Sequence, residues 1–221
     1  MAEQTADLAI VGAGILGLAH AFLAAKAGKS VVVFEKSHRA SGASVRNFGM
    51  IWPIGQPAGE MLDISLRSRA LWLEILNQAR LPYRNTGSLH LAYREDEADV
   101  AREFAERGPG LGYECSWLTG AQVQEKSQAV QPDALIGGLW SSTEFTIDPR
   151  QIIQQLPVFL EQKFGVRFFF STLVTRLQLL RIFCQSSMRS SRELSAAKCQ
   201  PKWWDFTYLD FTYPRHSDNS K

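Results

Sequence analysis

Three glycines between an apolar run and a helically spaced one, in DLAIVGAGILGLAH from Asp7 to His20, limit what this chain can fold into. DLAIV is short and partly β-branched, as suits a buried parallel strand, and ILGLAHAFLAAKAG has helical spacing with Gly28 as its C-terminal cap. SVVVFE follows as a second strand, so Gly12, Gly14 and Gly17 stand at the first turn of a βαβ unit. There Gly12 permits the tight turn, Gly14 lets a pyrophosphate approach the backbone, and Gly17 lets helix and strand pack closely, with the phosphates at the positive helix N-terminus. Glu35 ends the second strand 18 residues after Gly17, where a carboxylate accepts hydrogen bonds from an adenosine ribose and repels a 2′-phosphate. Lys36 and Arg39 weaken the second half of that argument, because cations there can receive such a phosphate. The expected fold is α/β with a Rossmann-like nucleotide domain, and the expected ligand is a dinucleotide.

The choice between nicotinamide and flavin turns on SHRASGASVRNFGMIWP, Ser37 to Pro53. A nicotinamide dehydrogenase would continue into another helix and strand, whereas this is a Gly, Ser and Asn loop without apolar periodicity. Small residues let such a loop approach a flat ring and aim N–H dipoles at the negative charge of a reduced flavin. Composition alone would make it a surface loop.

Together, IVGAGILGLAHA, VFEKSHRASGASVRNFGMIWP and TGSLHLA resemble the D-amino-acid-oxidase and glycine-oxidase superfamily of FAD-dependent oxidoreductases, in particular a branch associated with aminophosphonate degradation. The likeness runs from about Asp7 to Leu177. It implies that Gly12, Ala13, Gly14, Ile15, Leu16 and Gly17 cradle the FAD pyrophosphate and that Glu35, with Lys36 next to it, lies at the adenosine ribose. It further implies that Arg39 and the loop residues Ala43, Ser44, Arg46, Asn47, Phe48 and Gly49 approach the pyrophosphate and isoalloxazine. Met50 would stand beside the ring, and Val174 would place its backbone against the adenine. The implied parental reaction is oxidation of the C–N bond of a small amine, amino acid or aminoalkylphosphonate, with oxygen or another acceptor reoxidising the flavin, and in this chain, read as truncated, that activity is expected to be impaired. An NAD-dependent dehydrogenase and a non-catalytic nucleotide-binding fragment remain as alternatives.

The middle of the chain supplies packing elements. GEMLDISLRSRALWLEILNQAR is an amphipathic helix stopped before Pro82, YRNTGSLHLAY reads as strand, turn, strand, and EDEADVAREFAERG and TGAQVQEKSQAV are helices, the second capped by Thr119. ALIGGLWSSTEFTIDP reads as strands in a sheet over the flavin. Asp148 and Pro149 then start a helix that Pro157 should kink, and GVRFFFSTLVTRL supplies two more strands. His90 falls opposite Leu89 and Leu91 and, without an acidic or nucleophilic partner in sequence, is read as structural. An anionic substrate would want an arginine, for which Arg46, Arg84 and Arg150 are candidates, Arg46 first because it lies inside the flavin-loop motif. The resulting division is 1–80 and 148–177 for the FAD domain, 81–147 for a partial antiparallel substrate domain, and 178–221 for a disordered tail.

Charge and cysteines narrow the setting. The net charge is +2, and the surplus lies after Leu177, where 7 Lys and Arg meet 4 Asp and Glu, which is poor support for nucleic-acid binding. Cys115, Cys184 and Cys199 share no metal-ligand spacing, so a metal site is not expected, and their odd number suits a reducing compartment. No Lys or Arg precedes the apolar run from Leu8 to Ala25, and a cytoplasmic protein without a membrane span is expected. All 16 glycines precede Leu177, and the remainder lacks both alternation and helical periodicity. That change is read as truncation followed by out-of-frame or alternatively spliced residues.

Overall fold

The computed structural model describes residues 5–177, and the reading of 178–221 as a disordered tail lies outside them. The chain forms two compact units, one from residues up to Ser41 together with those from Pro157 on, the other Gly42–Leu156.

In the first unit β1 (Leu8–Val11), α1 (Ile15–Lys26) and β2 (Val31–Phe34) make the expected βαβ start. A three-stranded parallel sheet in the order β1-β2-β9 is completed by β9 (Arg167–Phe169). The central strand carries the buried run Val31, Val32, Val33 and Phe34, which explains a β-branched stretch with no polar face. Leu18, Ala21, Phe22 and Ala25 of α1 are buried as well. Phe22 meets Phe164 edge to face at 5.9 Å, and Phe34 stacks on Phe169 at 5.2 Å.

The starts of β1 and β2 are clamped by Asp7, whose Oδ2 accepts from the Ser30 N–H and O–H at 2.7 Å each, while Asp7 N–H donates back to Ser30 Oγ at 2.9 Å. The Ser30 side-chain hydrogen bond, then its backbone one, holds the Asp7 carboxyl below the usual carboxylate range. A folded value lower than the unfolded one stabilises the fold above about pH 3.9, the unfolded value, and that contribution is lost as pH falls through the folded value. Asp7→Asn should therefore lower the melting temperature slightly at pH 7, with the difference from wild type shrinking as pH falls below about 3.9, the unfolded value; a gap that widens in acid would refute the clamp.

The second unit holds two antiparallel sheets. One has the order β3-β8-β4, from Met50–Ile51, Phe145–Ile147 and Tyr83–Arg84; the other has β5-β7-β6, from Ser88–Ala92, Gly137–Ser141 and Cys115–Thr119. The segment expected as one strand-turn-strand therefore divides: β4 pairs with β8 and β5 with β7, because the Asn85–Gly87 link passes between sheets instead of turning back on itself. The strands expected in one sheet from ALIGGLWSSTEFTIDP likewise separate, β7 into one sheet and β8 into the other.

The helices are α2 (Glu60–Ala79), α3 (Glu95–Arg107), α4 (Gly120–Lys126) and α5 (Pro149–Phe164). Thr119 caps α4 in a reciprocal pair with Gln122, and Asp148 Oδ1 accepts from Arg150 N–H at 2.9 Å and Gln151 N–H at 3.3 Å to start α5. Pro157 lies inside α5 and does not end it.

Two other expectations change. The compact units divide after Ser41 and before Pro157, not at 80 and 147, because Leu62 and Leu66 of α2 pack with Ile54, Tyr113, Leu139 and Phe104 in the core of the second unit. Only β9 forms from GVRFFFSTLVTRL. Ser171, at φ 53°, turns the chain out of the extended conformation, and Thr172–Leu177 continue without strand structure. No helix among the described residues is long and apolar enough to cross a membrane.

Candidate functional site

The glycine turn of the first unit is built tightly. A Cβ on Gly17 would stand 2.0 Å from the Gly12 carbonyl oxygen and 3.2 Å from Ile10 Cγ2, so only glycine lets α1 lie this close to β1. Gly12 N–H donates to the Phe34 carbonyl at 2.7 Å, and the buried Ala13 N–H donates to Glu35 Oε2 at 3.0 Å. The other oxygen, Glu35 Oε1, accepts from Ser37 N–H at 3.0 Å. Glu35 is thus a bridge between the glycine turn and the end of β2, with the unused lone pairs of both oxygens left for further donors.

The amides of Gly12 and Ala13 are committed inside the protein, and the helix bonds of α1 begin with Leu18 N–H on the Gly14 carbonyl at 2.9 Å. Gly14 is the N-cap of α1, with no side-chain cap, and Leu16 is largely exposed. Lys36 and Arg39 are exposed beyond β2, and Val174 is half-buried two residues after Thr172, whose N–H donates to the Glu35 carbonyl at 2.8 Å.

This arrangement changes what Glu35 is expected to do when removed. Glu35→Ala would leave the buried Ala13 N–H without its acceptor, at about 1–3 kcal/mol. It should lower thermal stability in the absence of any ligand as well as weaken nucleotide binding. Unchanged apo stability would limit Glu35 to ligand contact.

The glycine-rich loop belongs to the second unit. Residues Ala43–Val45 make one turn of 3-10 helix with Arg46 as its C-cap, and Ala43, Arg46, Asn47 and Phe48 are exposed while Ser44 is half-buried. Asn47 Oδ1 accepts from Gly49 N–H at 2.8 Å, and the Gly49 carbonyl accepts from Ile147 N–H at 2.9 Å, which pins the loop to β8. Met50 then begins β3. Phe48 at 78% exposed, Met50 at 39% and Trp52 at 42% leave an open apolar set along this stretch.

Of the three candidate arginines, Arg84 is the one in register with Met50. Met50 and Arg84 both pair with Thr146 of β8, so they flank the same residue and face the same side of the sheet, about 10 Å apart across two strand spacings. Arg46 and Arg150 are exposed but not placed in that row. Among the described residues, no group of three or more His, Cys, Asp or Glu is gathered as for a metal ion.

A polar cluster that the sequence did not announce lies behind Trp52. Glu144, 1% exposed, accepts from Ile54 N–H at 3.1 Å and Thr143 Oγ1 at 2.7 Å on one oxygen, and from Ser88 Oγ at 3.1 Å on the other. Ser88 Oγ also lies 3.4 Å from His90 Nε2, and the His90 ring stacks on Trp52 with centroids 5.9 Å apart and planes 19° apart. Burial, then the charge of Glu144, pushes the nearby Cys115 thiol above its ordinary range. The local signal was Ser-x-His on a strand, which puts both side chains on one face; the carboxylate lies too far along the chain for spacing to suggest it.

Comparison with known proteins places this geometry. The family described as DAO, FAD dependent oxidoreductase, matches residues 7–188. A glycine oxidase of Geobacillus kaustophilus (strain HTA426) is 30% identical over 142 residues, which is 61% of this chain and 38% of that protein. A glycerol 3-phosphate dehydrogenase of Caloramator mitchellensis is 25% identical over 147 residues, 65% of this chain and 30% of that protein. The crystal structure of glycine oxidase from Geobacillus kaustophilus matches with a TM-score of 0.68 at 26% identity, covering 78% of this chain and 48% of that one. The chain thus spans less than half the length of these relatives. With the family model matching residues 7–188, most of the sequence, the chain belongs to the FAD-dependent oxidoreductase (DAO) family.

Proposed function

We propose that this chain carries the nucleotide-binding turn and part of the substrate side of an enzyme that oxidises the C–N bond of a small amine, amino acid or aminoalkylphosphonate. FAD is the cofactor of the family, which displaces the nicotinamide alternative. The observation that carries the reading is the Glu35 bridge, which fixes a buried carboxylate beside the N-terminus of α1. The first-turn amides from Gly14 to Gly17 would hold the pyrophosphate, with Gly12 and Ala13 shaping the turn, and Glu35 would take the adenosine ribose. Lys36, Arg39 and Val174 would line the nucleotide, and Ala43, Ser44, Arg46, Asn47, Phe48, Gly49 and Met50 the flavin.

When bound, FAD would take up the two electrons released by C–N oxidation, and oxygen or another acceptor would remove them. The protein's own part is to orient an amine and match its charge. Arg84, in register with Met50, and Arg46 are the side chains for an anionic substituent. Likeness to a glycerol 3-phosphate dehydrogenase supports a second reading, in which the oxidised carbon bears a hydroxyl and the arginine meets a phosphate.

The test is to titrate the purified chain with FAD and with NAD, then add glycine, 2-aminoethylphosphonate or glycerol 3-phosphate anaerobically and follow flavin absorbance. One FAD per chain and bleaching by an amine are expected. Binding of NAD without FAD would overturn the cofactor, and bleaching by glycerol 3-phosphate alone would favour the second reading.

A further inference from the structure

Glu144 is a buried side chain whose hydrogen-bond partners among the described residues are one backbone amide and two hydroxyls, and it ends a chain of hydrogen bonds that reaches solvent. Serine has one hydroxyl hydrogen, and Ser88 gives it to Glu144 Oε2, so toward His90 the hydroxyl can only accept. That fixes the His90 proton on Nε2 and leaves the lone pair on Nδ1. Among the described residues no buried side-chain nitrogen or oxygen lacks a partner and none hydrogen-bonds to Nδ1, so Nδ1 is open to solvent. Its ring is held parallel to Trp52, an exposed indole whose π face attracts cations. On the other side, Ser141 Oγ lies 3.1 Å from Thr143 Oγ1, and Thr143 donates to Glu144, which anchors the carboxylate.

We propose that the Glu144–Ser88–His90 relay makes His90 Nδ1 the proton acceptor for a small ammonium ligand bound against Trp52. The reading of the chain as an amine oxidoreductase supplies the ligand class, and the inference rests on it. The step is a proton transfer alone. The ammonium N–H bond breaks, its proton goes to Nδ1, and the substrate nitrogen keeps the electron pair that oxidation of its carbon requires. The imidazolium formed keeps its Nε2–H on Ser88, and the Glu144 carboxylate opposes the new charge through that hydroxyl. His90 would be the catalytic residue, and Ser88 and Glu144 positioning residues.

The experiment uses the full chain with ¹⁵N-labelled histidine. Long-range ¹H–¹⁵N spectra of the neutral imidazole should show His90 protonated on Nε2 with Nδ1 bare, and added glycine should shift the Nδ1 resonance. Ser88→Ala removes the acceptor and should return His90 to a mixture of tautomers; Glu144→Gln should do so too, and if that buried variant does not fold, Ser88→Ala still decides. A proton on Nδ1 in the wild type, or an Nε2 preference unchanged in Ser88→Ala, would overturn the relay.

With FAD bound, His90→Gln should slow glycine-dependent bleaching at least tenfold at saturating glycine while leaving FAD affinity unchanged. Equal bleaching rates with the tautomer as expected would overturn the acceptor role. Absence of bleaching by any amine in the wild type, together with no glycine-induced Nδ1 shift, would overturn both the acceptor and the amine reading, whereas a shift without bleaching would strike only the latter.

Discussion

Gly17→Val is expected to unfold the glycine turn and abolish FAD retention, because there is no space for a side chain at that position. Even the first carbon would lie 2.0 Å from the Gly12 carbonyl oxygen, which is backbone and cannot rotate away. Relief requires α1 to move off β1, and α1 carries Leu18, Ala21, Phe22 and Ala25 into the core of the first unit. Overpacking of a core costs about 1–3 kcal/mol and more when backbone must shift, so a loss of about 3 kcal/mol or more is expected. For a chain of this size that is a fall in melting temperature of about 6–12 °C.

The same movement spreads Gly12 from Phe34 and Ala13 from Glu35, dismantling the two hydrogen bonds that define the turn. Gly28→Ala is the control. Gly28 also lies in the first unit and has a positive φ, but a Cβ there meets nothing within 4 Å, so only the backbone cost of about 1 kcal/mol applies. If Gly17→Val melts with wild type and binds FAD equally, the turn is not the nucleotide site.

Legibility in the sequence followed how local each feature is. The βαβ start, the Thr119 cap, the Asp148–Pro149 helix start and the stop of α2 before Pro82 each depend on neighbours within a few residues, and each formed as expected. Sheet membership does not have that property. Tyr83–Arg84 and Ser88–Ala92 are adjacent in sequence and sit in different sheets, since β8 and β7, 45 or more residues on, choose their partners. The extra strand expected after Phe169 failed at a single residue, Ser171, whose left-handed backbone no alternation pattern reveals.

At the site, the pattern gave Glu35 its position but not its second duty, because the Ala13 N–H that it satisfies is a backbone group and leaves no mark in composition. Spacing offers His90 no partner, because the carboxylate it meets through Ser88 lies 54 positions away.

Gly49→Ala is expected to detach the glycine-rich loop from the second unit. Two separate penalties fall on it. At φ +73° an alanine costs about 1–2 kcal/mol in backbone strain. Its Cβ would also lie 2.1 Å from the Ile147 carbonyl oxygen and 2.9 Å from Pro149 Cδ. The clash falls where the Gly49 carbonyl accepts from Ile147 N–H and where β3 pairs with β8, so relief costs that pairing as well. A total of about 3 kcal/mol or more is expected.

Asparagine separates the two causes, because it tolerates a left-handed backbone but brings a Cβ. Gly49→Asn should be nearly as damaging as Gly49→Ala, whereas Gly165→Asn, at φ +68° with nothing within 4 Å, should be almost neutral. Moving β3 also takes Met50 out of its row with Thr146 and Arg84, so any Gly49 variant that remains folded should lose affinity for an anionic amine more than for a neutral one. A Gly49→Asn protein as stable as wild type would show that the loop is not pinned at Ile147, and with it the alignment of Met50 and Arg84 as one binding row would fall.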